Sequence, residues 1–330
     1  MVRQRKKLKI SVDLGENENE PGEFRDCAIL AEKMGFYGAF FGDHFLPWVH
    51  EGGKSAFIWS LMGSALQATR KIKVGPLVTV PIGARYHPAI IAQAAATMDN
   101  MYPGRFLLNV GTGEAVNESF FLEWPRWEER IERLNEGIAL IRKLWTSRDY
   151  FDFDGHYFHL KQVFLYTKPK TDLGIYYSGI GPKSAYYAGK YGDHLVTLTS
   201  HNSLEKCQSV IFPSFEKGMR DSGRDPKRAE RVVSLSFTLE DKESYLRSAR
   251  KTAGTDSWNE TDPRKIGTMG QQVPDQKLLK LSYLCSKWSD VIELVSRFHE
   301  AGTTHLILQP GANAQNIRMY ARKVLQHFKK

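Results

Sequence analysis

Asp43-His44-Phe45-Leu46-Pro47-Trp48 follows a short apolar run and gathers a carboxyl group, an imidazole and an indole within six residues. Imidazole both accepts and donates a proton near neutral pH, so His44 is the natural acid–base candidate, with Asp43 as its acidic neighbour. Trp48 is placed to wall an aromatic pocket, although tryptophans also serve as ordinary packing groups. A second constellation, Gly111-Thr112-Gly113-Glu114-Ala115-Val116-Asn117-Glu118, sits in a glycine-rich turn that lets backbone approach a ligand and brings forward the Glu114 carboxylate. It lacks the third glycine of a dinucleotide fingerprint, which argues against a Rossmann-type site. Ser178-Gly179-Ile180-Gly181-Pro182 precedes a helical pattern, where backbone amides can hold an anionic group. Each glycine turn also has a purely conformational reading. Thr199, Ser200 and His201 add hydroxyls and a second imidazole, making Thr199 and His201 candidates for substrate contact. The ten histidines form no His-x-His or His-Glu-x-x-His pattern, so no metal is expected.

These groups need elements that bring them to one place. Strand-like runs at Leu8–Leu14, Gly38–Phe41, Ile72–Val80, Phe106–Val110, Gly174–Ser178, Leu195–Thr199, Val232–Leu239 and His305–Leu308 alternate with helical patterns. Cys27, Ala28, Leu30, Ala31 and Met34 form one apolar stripe, closed by Gly35 at a C-cap position. Ile131, Leu134, Ile138, Ile141 and Leu144 form another, and Val291, Leu294, Val295 and Phe298 a third. Eight such units predict an α/β fold, a (β/α)8 TIM barrel spanning 1–330 as a single domain. Insertions are expected after strands four and seven: an aromatic-rich hairpin over Asp149–Pro169, and a polar segment over Arg250–Asp275 covering the substrate end. In such a barrel the polar groups named above fall at the C-terminal strand ends and converge, which favours an acid–base role for His44 opposite Glu114.

The chain is 42% hydrophobic and 25% charged, ordinary for a globular protein. Its formal charge of +9 is mostly scattered, which argues for a solvated surface and against a nucleic-acid partner, while leaving a favourable field for an anionic small molecule. No apolar run is long enough to span a membrane, and three widely spaced cysteines suggest neither disulfides nor zinc. A cytoplasmic protein is expected.

Asp43-His44-Phe45-x-Pro47-Trp48, the Gly111–Glu118 turn and Arg85-Tyr86-His87-Pro88-Ala89-Ile90-Ile91-Ala92-Gln93 together resemble the luciferase-like flavin and deazaflavin oxidoreductases. Within that superfamily they are similar to the dehydrogenases that use coenzyme F420, acting on secondary alcohols or on glucose-6-phosphate. Leu165-Tyr166-Thr167-Lys168-Pro169, Ser178-Gly179-x-Gly181-Pro182-Lys183 and Tyr191-Gly192-Asp193-His194-Leu195 resemble the alcohol dehydrogenases most. The resemblance runs from the first strand to the last helix and is weakest after strand seven. It implies a barrel homodimer that holds the deazaflavin ring deep in the mouth. By position it makes His44 the base, Trp48 the stabiliser of the reacting alcohol and Glu114 the proton donor to the ring. It assigns cofactor contacts to Asp43, Leu77, Val78, Thr112, Asn117, Ser178, Gly179, Ile180, Gly181 and Pro182, with a non-prolyl cis peptide at Leu77-Val78.

Two departures bear on the substrate. The sugar-phosphate enzymes place a threonine and a lysine near positions 199–202, whereas this chain has no lysine there until Lys206; near Thr268 a phosphate-binding lysine is also missing. The expected reaction is therefore hydride transfer between a secondary alcohol and C5 of F420. The rivals are a sugar-6-phosphate dehydrogenase, an FMN-dependent luciferase-like monooxygenase and a non-catalytic deazaflavin-binding barrel.

Overall fold

A computed structural model describes residues 7–15, 19–252 and 257–329. All eight expected strands form: β1 (Lys9–Asp13), β2 (Gly38–Phe41), β3 (Lys73–Pro76), β4 (Leu108–Val110), β5 (Ile175–Ser178), β6 (His194–Leu198), β7 (Arg231–Leu235) and β8 (His305–Leu308). They pair in parallel in the order β3-β2-β1-β8-β7-β6-β5-β4. Isolated bridges from Val74 to Phe106 and from Thr79 to Val110 then join β3 to β4, closing the sheet into the barrel.

The two-residue period of the strands sorts their side chains. Phe40, Tyr176, Val196, Val232 and Ile307 form a compact cluster of their own, the filling expected inside a narrow barrel. Their chain neighbours Ala39, Phe41, Leu195, Val233, Leu306 and Leu308 belong instead to the large core shared with the helices. Eight helices complete the units: α1 (Pro21–Met34), α2 (Ile58–Ala68), α3 (Pro88–Met101), α4 (Trp127–Thr146), α5 (Pro182–Tyr191), α6 (Phe212–Asp221), α7 (Trp288–Glu300) and α8 (Ala314–Lys323). The predicted stripes face the core on α1, α4 and α7, with Leu30 and Met34 of α1 half-buried at its edge, and Gly35 ends α1 at φ +87°, its N–H on the carbonyls of Ala31 and Glu32.

Two strands end well before their expected limits, β3 at Pro76 in place of Val80 and β7 at Leu235 in place of Leu239. β3 ends at Pro76, with Leu77 N–H still donating to the Phe41 carbonyl at 2.7 Å, and the cis peptide Leu77–Val78 follows directly. β7 stops at Leu235 because the next amide, Ser236 N–H, donates to the Thr199 hydroxyl at 2.8 Å. Phe237–Thr238 then pairs with Tyr283–Leu284 outside the barrel.

Both insertions are present. Phe151–Asp154 and His159–Val163 make an antiparallel hairpin after α4, its turn held by Glu136, which accepts the amides of His156, Tyr157 and Phe158. After β7, helices Lys242–Thr252, Pro263–Met269 and Asp275–Leu278 enclose a small core of Tyr245, Leu246, Ala249, Val273 and Leu278. Among the described residues no helix is long and apolar enough to cross a membrane, and the three cysteines are free and buried.

Candidate active site

The C-terminal ends of β2, β3, β4 and β5 surround a cavity of about 460 Å³. Asp43 and His44 enter it from β2, Leu77 and Val78 from β3, Thr112, Glu114 and Asn117 from β4, and Ser178, Ile180, Gly181 and Pro182 from β5. His44 and Glu114 meet as the barrel geometry requires, with His44 Nε2 3.6 Å from Glu114 Oε2 and both side chains only partly exposed.

Asn117 fixes this pair from both sides. Its Oδ1 accepts the backbone amides of Phe45 and Leu46 at 2.8 and 3.2 Å, and its Nδ2 donates to Glu114 Oε2 at 3.0 Å. The loop carrying His44 and the loop carrying Glu114 are thus tied through one amide side chain. Gly113 lets the second loop turn: its φ is +75°, and a Cβ there would lie 2.9 Å from Val80 Cγ1. Gly179 serves close approach, since a Cβ would lie 2.9 Å from the Ala185 Cα of α5. In the same turn Ser184 Oγ accepts the Gly181 amide at 3.0 Å, and Asn202 Nδ2 donates to the Ile180 carbonyl at 2.7 Å.

Beneath His44 lies a buried charge cluster. Arg85 Nη2 reaches Asp43 Oδ1 at 2.9 Å and Glu118 Oε1 at 3.5 Å, and Tyr86 donates its hydroxyl to Asp43 Oδ1 at 3.1 Å. One guanidinium thus faces two carboxyl groups away from water. Burial pushes the Asp43 carboxyl up against the pull of Arg85, and it pushes Glu118 up to about 7. Folded Glu118 therefore holds a proton over a pH range in which its unfolded counterpart has lost it, so this group stabilises the fold below about pH 4.5 and loses that contribution as pH rises through about 7. Denaturant unfolding from pH 5 to 8 should show wild type losing up to about 3 kcal/mol more than Glu118→Gln, at 1.36 kcal/mol per pH unit. Parallel pH curves for the two proteins would assign the proton elsewhere.

Four sequence-derived candidates stand back from the cavity wall. Trp48 lies behind His44, ring centroids 6.3 Å apart. Gly179 donates its amide to the Val196 carbonyl at 2.8 Å. Thr199 is buried, its hydroxyl taken by Ser236 N–H. His201 packs on Trp258 at 5.5 Å, and burial, with Lys206 adding to it, lowers its pKa and so favours the neutral ring.

Several residues on the wall carried no motif that could announce them. Trp258 comes from the insertion after β7, where only the polar composition was legible. Arg130 and Trp127 belong to α4, where helical spacing alone does not show which residue turns toward the mouth; Lys183, by contrast, closes the recognised Ser178–Lys183 run at the start of α5. Arg130 donates to the Gly113 carbonyl at 3.2 Å and stacks on Trp124, while Lys183 lies over Trp127 at 5.1 Å.

Residues 7–305 match the luciferase-like monooxygenase family. The chain is 36% identical over 301 residues to an F420-dependent glucose-6-phosphate dehydrogenase of Nocardia farcinica, covering 88% of this chain and 89% of the relative. It is 31% identical over 332 residues to the enzyme of the same name from Gordonia bronchialis, covering 98% and 96%. Among solved structures, an F420-dependent secondary alcohol dehydrogenase in complex with an F420–acetone adduct superposes with a TM-score of 0.89 at 34% identity, covering 97% of this chain and 98% of that one.

Proposed function

The chain belongs to the luciferase-like monooxygenase family, and from that premise we propose that it is a coenzyme F420-dependent oxidoreductase of CH–OH donors whose substrate is a secondary alcohol. The observation that carries this reading is the meeting of His44 and Glu114, 3.6 Å apart, at one cavity. The cavity's chemistry fits the coenzyme. Leu77, Val78 and Val80 supply apolar surface for a flat ring, Glu118 Oε1 is a buried acceptor without a hydrogen bond, and Lys183 and Arg130 offer positive charge to an acidic tail. Asp43, Thr112 and Asn117, with the turn from Ser178 to Pro182, would complete its hold.

When bound, the deazaflavin supplies a carbon, C5, that exchanges a hydride with the substrate carbinol. His44 accepts the hydroxyl proton as general base. Glu114, oriented by Asn117, carries the second proton of the reaction on its carboxyl group. Trp48, set back from the cavity wall, packs against the His44 ring and stabilises the reacting alcohol through the imidazole it positions. The same reading makes the protein a cytoplasmic homodimer built from one barrel domain, in keeping with its three free thiols.

The names of the sequence relatives favour a second reading, a sugar-6-phosphate dehydrogenase. Against it, Thr199 is spent on the β7 backbone and His201 is held toward neutrality, so neither offers a phosphate the charge it needs. Following F420 absorbance with the loaded enzyme should give kcat/KM for 2-propanol or 2-butanol at least ~10-fold above that for glucose-6-phosphate, the discrimination expected when a dianion enters a cavity whose cations, Lys183 and Arg130, are taken by the coenzyme tail. The opposite ranking transfers the assignment to the sugar phosphate.

A further inference from the structure

A chain of four rings runs outward from His44. His44 and Trp48 lie 6.3 Å apart, Trp48 and Trp258 6.2 Å, and Trp258 and His201 5.5 Å. The chain joins the loop after β2 to the loop after β6, with Trp258 as its central link. Of Trp48, Trp258 and His201, only Trp258 stands on the cavity wall, and it shares that wall with His44, Glu114, Val196 and Leu198. The outer ring, His201, has its pKa lowered first by burial and then by Lys206, so no imidazolium waits there for an anion.

The segment that delivers Trp258 is a single turn, Ser257–Asn259, and it is docked from outside the insertion. Trp124 Nε1 donates to Asn259 Oδ1 at 3.1 Å, linking the turn to the loop before α4, where Arg130 stacks on the Trp124 ring at 4.1 Å. A large rigid indole held between two other rings makes a fixed wall, because moving it breaks both ring contacts and the Trp124–Asn259 bond together.

We propose that Trp258 is the specificity-determining residue of the substrate compartment, restricting the reaction to compact, uncharged hydroxyl compounds by walling the cavity that His44 lines. This rests on the alcohol reading above. Small apolar substrates fill the space the indole leaves, and a longer alkyl arm on the carbinol carbon meets the ring.

The test uses the F420-loaded protein with the series 2-propanol, 2-butanol, 2-hexanol and 2-octanol. In Trp258→Ala the ratio of kcat/KM for 2-octanol to that for 2-propanol should rise at least ~10-fold over wild type, with Trp258→Phe in between. Trp124→Phe, which leaves the indole in place but unties its turn, should move the ratio the same way by less. An unchanged ratio in both Trp258 variants, with circular dichroism and F420 affinity as in wild type, overturns the proposal. Should wild type oxidise none of these alcohols, the alcohol reading fails on its own, and the wall is then tested through the coenzyme. Acrylamide should quench the fluorescence of bound F420 several-fold more steeply in Trp258→Ala, and an equal slope overturns the proposal by that route.

Discussion

Replacing His44 by Ala should slow alcohol oxidation by roughly 10²- to 10⁴-fold while leaving F420 affinity within a few fold, the usual worth of a positioned general base. The imidazole is placed for this role: it lies at the end of β2, partly buried, with Trp48 behind it and Glu114 Oε2 3.6 Å from Nε2. The loop is not held by the side chain being removed. Asn117 binds the amides of Phe45 and Leu46, Ser55 Oγ donates to the His44 carbonyl at 2.7 Å, and Arg85 donates to the Asp43 carbonyl at 2.6 Å. Truncation should therefore remove the base without releasing the backbone. Near wild-type turnover would exclude His44 as the base, and loss of coenzyme binding would make it a cofactor-pocket residue instead.

What made His44 legible was position as much as residue type. The strand pattern placed it three residues past β2, and the barrel rule then sent it to the same mouth as Glu114 without any distance being known. The eight strands were readable because a buried parallel barrel demands apolar runs at regular spacing, and the α1 end was readable because Gly35 takes a left-handed φ. The limits of the strands were not readable. β7 looked continuous to Leu239, yet a cross-strand side chain, Thr199, captures the Ser236 amide and ends the ladder. The same contact gives the Thr199 hydroxyl a backbone partner at the end of β7 that the sequence did not show. Arg85 illustrates a different gap: it stood inside a recognised run, but nothing in its spacing indicated that it would face both Asp43 and Glu118. Trp258 lay deeper still, since its partners Trp48 and His201 are far away in sequence and the intervening insertion has no periodicity that fixes its placement.

Glu114→Gln should lower kcat by about 10²-fold or more, with kcat/KM falling in parallel, because the change removes an interaction needed only as the proton moves. The substitution keeps the shape of the side chain, and the Gln carbonyl can still accept the Asn117 Nδ2 bond that Glu114 Oε2 accepts at 3.0 Å. Denaturation midpoint and F420 affinity should therefore stay close to wild type. A residue with only a structural part would show the reverse, a lowered midpoint with turnover preserved. The pair His44→Ala and Glu114→Gln separates the two cases further. The groups lie 3.6 Å apart and face one cavity, so if they serve one reaction their losses should not multiply: once either proton carrier is gone, the remaining rate no longer depends fully on the other. A double variant as slow as the product of the two single losses would mean that His44 and Glu114 act independently, and Glu114 would then have to be assigned to holding the coenzyme and not to moving a proton.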